Sequence, residues 1–228
     1  MKKGQKLKAE KPKQYQQGWT EFYKLKFLIS EDTLIPRPET ELLVDEVLKL
    51  AKEIKEKHNK VPTIIDIGTG SGIIAISIVK NLKEVGVVAT DISEKALEVA
   101  KKNARLHKTG NDLVIIKNDL YEKFTVAPDI IVTNLPYIPT ARLMHIDPMV
   151  TDWEPKVALD GGEDGFELYR KLFTQIEQKK LYPKYLIGEI DYTQAKLVLS
   201  EVKKRFPNAK VEVKEDLAKM QRFFVIRF

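Results

Sequence analysis

From Val61 onward two rhythms alternate along the chain. The apolar runs TIIDIG (63–68), VGVVATD (85–91), LVIIKND (113–119), DIIVTN (129–134) and YLIGEI (185–190) read as buried strands, since a strand covered on both faces has little polar alternation. Between them IIAISIVKNL (73–82), SEKALEVAKKNARLH (93–107), FELYRKLFTQIEQ (166–178) and TQAKLVLSEVKKRF (193–206) predict helices, with Ser93 as an N-cap. KVEVKED (210–216) and RFFVIRF (222–228) predict two strands with no helix between them, hence an antiparallel closing hairpin. Repeated βα units imply an α/β fold: a mostly parallel, seven-stranded, doubly wound sheet with helices on both faces.

Ahead of that region, residues 14–35 carry Trp19, Phe22, Tyr23, Leu25, Phe27, Leu28 and Ile29 in the alternation of a short hairpin. In 35–57, Pro38 suits a first helical position, Glu39 and Glu41 suit a first turn, and Leu42, Leu43, Val47, Leu50, Ala51 and Ile54 recur at helical spacing. The chain thus divides into a basic flexible tail (1–13), a hairpin and helix packing on the main domain (14–60), and the α/β domain itself (61–228).

Composition narrows the chemistry. The 228 residues include no cysteine, which removes disulfides, thiolate metal sites and cysteine nucleophiles. His58, His107 and His145 lie far apart without metal-ligand spacing, so no metal is expected. The net charge of +6 is uneven: six lysines against Glu10 give residues 1–13 a balance of +5, leaving +1 for residues 14–228. The high pI therefore belongs to the tail, whose plain reading is a solvated terminus and whose alternative is contact with ribosomal RNA or acidic protein. The longest greasy stretch, Ile73 to Val79, is far too short to span a bilayer, and no signal-peptide core follows the lysines. A cytoplasmic protein without membrane contact is expected.

Three constellations carry chemistry. The first is Asp66-Ile67-Gly68-Thr69-Gly70-Ser71-Gly72, at the first strand-to-helix turn, where glycines let a ligand approach the backbone and a helix start presents N–H groups. Ile73 stands where a dinucleotide fingerprint wants its third glycine, and no Gly-Lys-Ser/Thr phosphate loop exists, so the turn suits a nucleoside without a pyrophosphate. The second is Asp91, ending the next strand, placed to accept both ribose hydroxyls. Asp119-Leu120 ends the third strand, where an adenine would stack and hydrogen-bond. The third is Asn134-Leu135-Pro136-Tyr137, which offers an amide oxygen, a carbonyl aimed by the following proline, and an aromatic face to a planar NH2 donor. Together they point to amino-group methylation by S-adenosylmethionine.

At these residues the chain resembles the HemK-type protein glutamine methyltransferases, which modify peptide chain release factors. LIPRPETE (34–41), IIDIGTGSGIIAI (64–76), DISEKALEVAKKNA (91–104), the Asn134 element, EPKVALDGGEDG (154–165) and GEI (188–190) look like that family's blocks in order. The resemblance covers residues 13–228 and implies a Rossmann-like class I S-adenosylmethionine-dependent methyltransferase. It implies cofactor contacts from Gly68 to Gly72, Asp91, Leu120 and Asn134, and a glutamine side chain held by Asn134, Leu135, Pro136 and Tyr137. Departures are Leu135 for the usual proline, Asp191 and Lys219 for common glycines, and an absent N-terminal helical recognition domain, a role a partner subunit would take over.

The implied mechanism is direct transfer, with Asn134 and the Leu135 carbonyl holding the amide nitrogen in line with the sulfonium methyl. His145 is read as a solvated loop residue. Arg37, Glu39 and Glu154 either shape the site or cap a helix and brace a loop. The alternatives are an adenine amino-group methyltransferase acting on DNA or RNA, a ribosomal-protein glutamine methyltransferase, and an inactive cofactor-binding subunit. Against the nucleic-acid reading stand the near-neutral body and the lack of a spare recognition domain.

Overall fold

A computed structural model describes residues 8–228. In it α1 (Lys13–Gln17) leads into a hairpin of β1 (Trp19–Phe22) and β2 (Leu25–Leu28), then into α2 (Glu41–His58). There follow β3 (Thr63–Ile67), α3 (Ile73–Asn81), β4 (Gly86–Asp91), α4 (Glu94–Leu106), β5 (Leu113–Lys117) and β6 (Ile130–Thr133). The remainder supplies the short α5 (Pro148–Thr151), then α6 (Glu167–Lys179), β7 (Tyr185–Glu189), α7 (Ala195–Arg205), β8 (Lys210–Glu215) and β9 (Gln221–Arg227).

The expected sheet forms: seven strands in the order β5-β4-β3-β6-β7-β9-β8, parallel except for β9, which runs antiparallel to both β7 and β8. Alternation along each strand sends successive side chains to opposite faces. Ile64, Ile130, Val132, Ile187, Phe223 and Val225 pack on one side with α2 and α3. Ile65, Ile131, Leu186, Phe224 and Ile226 pack on the other with α6 and α7. Phe22 and Phe27 of the hairpin join the first of these cores, so the 14–60 segment shares hydrophobic contacts with the sheet. Ser93 caps α4, accepting a hydrogen bond from the Ala96 N–H at 3.2 Å.

Two local expectations change. Lys13–Gln17 is helical where a hairpin is expected to begin, since five residues carry no period and α1 buries only Tyr15. Pro38–Thr40 forms a 3-10 turn ahead of α2, which starts at Glu41.

Residues 1–7 of the lysine tail lie outside the described residues, but 8–13 are not free. Trp153 Nε1 donates to the Ala9 carbonyl and the Ala9 N–H donates to Asp152 Oδ2, both at 2.9 Å. The Lys8 and Lys11 ammonium groups stand 4.5 and 5.2 Å from the Trp153 ring centroid. A cation over an indole face gains from the ring quadrupole, and the partner lies too far along the chain for local pattern to reveal it. Among the described residues no helix is long and apolar enough to cross a membrane.

Candidate active site

The strand order reverses between β3 and β6, since β4 and β5 lie on one side of β3 while β6 and β7 lie on the other. Such a switch point opens a crevice at the carboxyl ends of the strands. Register makes the crevice level: Ile67 pairs with both Thr90 and Thr133. The residues that follow these three, Gly68, Asp91 and Asn134, therefore emerge side by side.

The glycine turn is braced from below. Asp66, fully buried, accepts from Thr69 Oγ1 at 2.6 Å and from the Ala75 N–H at 3.2 Å, tying the turn to α3. Burial pushes its carboxyl up to about 7, and its Oδ1 has no partner among the described residues. The turn's own N–H groups are largely spent, contrary to the expectation of a ligand-facing cradle. Those of Gly68 and Thr69 donate to the Thr90 carbonyl at 2.8 Å, and that of Gly70 donates to Asp91 Oδ2 at 2.9 Å.

Two glycines have different reasons to be there. Gly70, at φ +56°, has no atom within 4 Å of where a side chain would begin, so it leaves open space in the crevice. Gly72, at φ +85°, is pressed against α4, where an added carbon would stand 3.3 Å from Ala100 Cβ.

Asp91 Oδ1 also accepts the Ser93 N–H at 2.8 Å, which fixes the plane of the carboxylate. Burial raises its pKa, opposed by those backbone donors. The backbone N–H groups of Ser93, Gly70 and Ile92 all face it, so part of the acceptor capacity of the ionised carboxylate is already taken and the rest is open to a ligand. Beyond the end of β5, Asp119 pairs with Lys171 at 2.6 Å, and Leu120 holds a left-handed conformation at φ +52°.

Past β6, Asn134 turns its Nδ2 toward Thr40 Oγ1 at 3.2 Å, while its Oδ1 accepts no hydrogen bond from the described residues. Thr40 in turn donates to Glu189 Oε2 at 2.7 Å, and the Tyr137 hydroxyl donates to Glu189 Oε1 at 3.0 Å. Leu135 is buried, with its Cδ2 against Gly68 and its N–H facing the Tyr169 hydroxyl. The leucine is thus packed and its N–H is satisfied.

A cavity of about 220 Å³ unites these elements. Gly68 to Ser71, Asp91, Asp119, Leu120 and Asn134 to Pro136 line it; Gly72 and Tyr137 stand outside that lining. His145 is solvent-exposed, as expected. Sequence reasoning misses Thr40 as a site residue and leaves Arg37 undecided; both line the cavity. Arg37 Nη2 meets Glu154 Oε1 at 2.6 Å, and Glu154 Oε2 accepts the Ile35 N–H at 3.3 Å. The signal for both lies in the LIPRPETE block, whose partners are more than a hundred residues away.

Among known structures, the chain matches a ribosomal protein L11 methylase from Lactobacillus delbrueckii with a TM-score of 0.59 at 21% identity, covering 87% of this chain and 82% of that one. It also matches the N-terminal domain of human METTL16 in complex with SAH, with a TM-score of 0.65 at 16% identity, covering 90% and 76%. The sheet order, the antiparallel strand β9 and the strand-end crevice are those of a class I S-adenosylmethionine-dependent methyltransferase.

Sequence comparison is more specific. The family described as ribosomal protein L11 methyltransferase (PrmA) matches residues 45–151. The release factor glutamine methyltransferase of Thermodesulfovibrio yellowstonii is 36% identical over 222 residues, 97% of this chain and 77% of that protein. Its counterpart in Lactococcus lactis is 35% identical over 221 residues, 97% and 79%. The chain belongs to the release factor glutamine methyltransferase family.

Proposed function

We propose that the protein transfers the methyl group of S-adenosylmethionine to the side-chain amide nitrogen of a glutamine in the Gly-Gly-Gln loop of a peptide chain release factor. The observation that carries this reading is Asn134. It stands level with Gly68 and Asp91 at the crevice, with its NH2 taken by Thr40 and its oxygen unengaged among the described residues.

The crevice residues fit the cofactor. Gly70 leaves room beside the turn, Asp91 keeps acceptor capacity for a ribose hydroxyl, and Ile92 and Leu120 offer apolar surface to a base. Bound there, S-adenosylmethionine supplies an electrophilic methyl on a sulfonium sulfur.

An amide nitrogen is a poor nucleophile because its lone pair is delocalised into the carbonyl. Asn134 Oδ1 and the Leu135 carbonyl would accept hydrogen bonds from its NH2 and fix its direction of approach; as the N–CH3 bond forms the S–CH3 bond breaks, and the methylated nitrogen then sheds one proton to water. Orientation of this kind contributes up to about 7–11 kcal/mol. Tyr137 serves the site through its hydroxyl on Glu189.

The test is incubation of the purified chain with S-adenosylmethionine and a purified release factor, followed by peptide mass mapping. One added methyl on the loop glutamine is expected. Methylation of adenine in nucleic acid instead, or of no glutamine, would overturn the reading.

A further inference from the structure

Glu189, at the end of β7, is buried and lies outside the cofactor cavity, yet both halves of the Asn134–Tyr137 element depend on it. Its Oε2 takes the Thr40 hydroxyl at 2.7 Å and its Oε1 takes the Tyr137 hydroxyl at 3.0 Å. We propose that Glu189 is a positioning residue that sets the polarity of Asn134 through Thr40, so that the asparagine presents an acceptor and not a donor to the substrate amide. This rests on the glutamine-methylation reading above and deepens it.

Counting protons decides the orientation. An ionised carboxylate only accepts, and a threonine hydroxyl has a single proton to give. Thr40 commits that proton to Glu189, so toward Asn134 its oxygen can only accept. Asn134 must therefore aim its NH2 at Thr40, and its Oδ1 is left for the substrate NH2. If Glu189 is protonated and donates to Thr40 Oγ1, the order reverses: Thr40 donates to the asparagine oxygen, and the amide turns its own NH2 outward. Two NH2 groups facing each other do not bond.

The surroundings of Glu189 make that reversal reachable. Burial raises its pKa, opposed by Thr40, Tyr137 and the charge of Arg222 on β9, and reinforced by Glu39. Tyr169 of α6 donates to the Glu189 backbone carbonyl and leaves the carboxylate free. As pH falls, the carboxylate therefore takes up its proton earlier than an ordinary glutamate would, and turnover should fall on the acid side.

Thr40→Val keeps the shape and removes the hydroxyl; Thr40→Ser keeps the hydroxyl. With a purified release factor as substrate, Thr40→Val should lower kcat about tenfold to a hundredfold, as loss of one preorganised hydrogen bond does. Thr40→Ser should restore most of it. Calorimetric affinity for S-adenosylmethionine should fall much less than kcat in Thr40→Val, since Thr40 lines the cavity but its hydroxyl is spent on Glu189 and Asn134. The Asn134 side-chain amide signals in 15N NMR should move in Thr40→Val and stay in Thr40→Ser. Glu189→Gln should flatten the acid limb of the kcat profile. Wild-type turnover in Thr40→Val, or an acid limb unchanged in Glu189→Gln, would overturn the proposal. If Asn134→Ala is inactive while Thr40→Val is normal, the polarity relay fails and the site stands; if Asn134→Ala is fully active, the site itself is wrong.

Discussion

Arg37, on the cavity wall, pairs with Glu154, Nη2 to Oε1 at 2.6 Å, joining the turn ahead of α2 to the loop after α5. The carboxylate is buried while the guanidinium remains a third exposed. Burial raises the Glu154 pKa and Arg37 opposes that rise. A carboxylate whose folded pKa exceeds its unfolded value penalises the folded state increasingly as pH rises above the unfolded value. Arg37→Ala enlarges the rise, so its deficit against wild type should be small near pH 4 and grow toward neutrality, to about 1–2 kcal/mol given the exposed partner. Urea titrations at several pH values read this directly; a deficit that shrinks with rising pH would refute it.

Asp91→Ala should weaken S-adenosylmethionine binding about tenfold to a hundredfold, since hydrogen bonds to a charged acceptor contribute about 1.5–3 kcal/mol. Because Asp91 also holds the Gly70 and Ser93 N–H groups, part of that loss passes through the turn. Calorimetry in excess chelator with Asp91→Asn alongside separates the parts, as the amide keeps one acceptor. Unchanged affinity in the alanine variant would remove the ribose assignment.

Asn134→Ala should cost on the order of a hundredfold in turnover, by analogy with deleting one oxyanion-hole donor. Cofactor affinity should change little, because the turn and Asp91 remain. Single-turnover methylation of a release factor beside calorimetry gives both numbers. Equal losses in binding and rate would mean that Asn134 serves the cofactor only.

Leu135→Pro sets two effects against each other. Stiffening the chain gains about 0.4–1 kcal/mol at a compatible position. Against it stand the lost contact of a buried leucine with Gly68 and the lost N–H facing Tyr169, together about 1–3 kcal/mol. Packing wins, and thermal unfolding should shift downward by several degrees. A raised melting temperature would show that the backbone effect dominates.

Deleting residues 1–12 removes the hydrogen bonds between Ala9 and the Asp152–Trp153 corner. A loss of about 1 kcal/mol, or about 2–4 °C for a chain of this size, is expected at low and high salt alike. A loss that vanishes in high salt would restore the picture of a purely electrostatic tail.

The sheet is legible in the sequence because each strand carries its own record of burial: TIIDI and IIVT are apolar on both sides, and only a covered strand can be. Gly68, Asp91 and Asn134 are legible for a related reason, since each directly follows or ends a strand whose register the fold brings level. Thr40 is not. Its part in the site exists only through Glu189, 149 residues further on, and no spacing rule links a turn before α2 to the end of β7. Trp153 escapes likewise, as its partners Lys8 and Ala9 sit at the other end of the chain. The motif marks Tyr137, but the bond of its hydroxyl to Glu189 is as illegible as that of Thr40, because the partner lies 52 residues further on.

The protein has two tryptophans, and neither belongs to the two sheet-face cores. Trp153 packs with Tyr15, Ile29 and Ile35, and Trp19 opens the small hairpin with the Lys26 ammonium 4.4 Å from its ring. Indole emission therefore watches the N-terminal segment seated on the loop beside the crevice, and is nearly blind to the sheet. Far-UV circular dichroism, dominated by the helices, watches the α/β body. A denaturation curve recorded both ways would split if that segment lets go first, so the molecule carries its own optical label for the part of it nearest the site entrance.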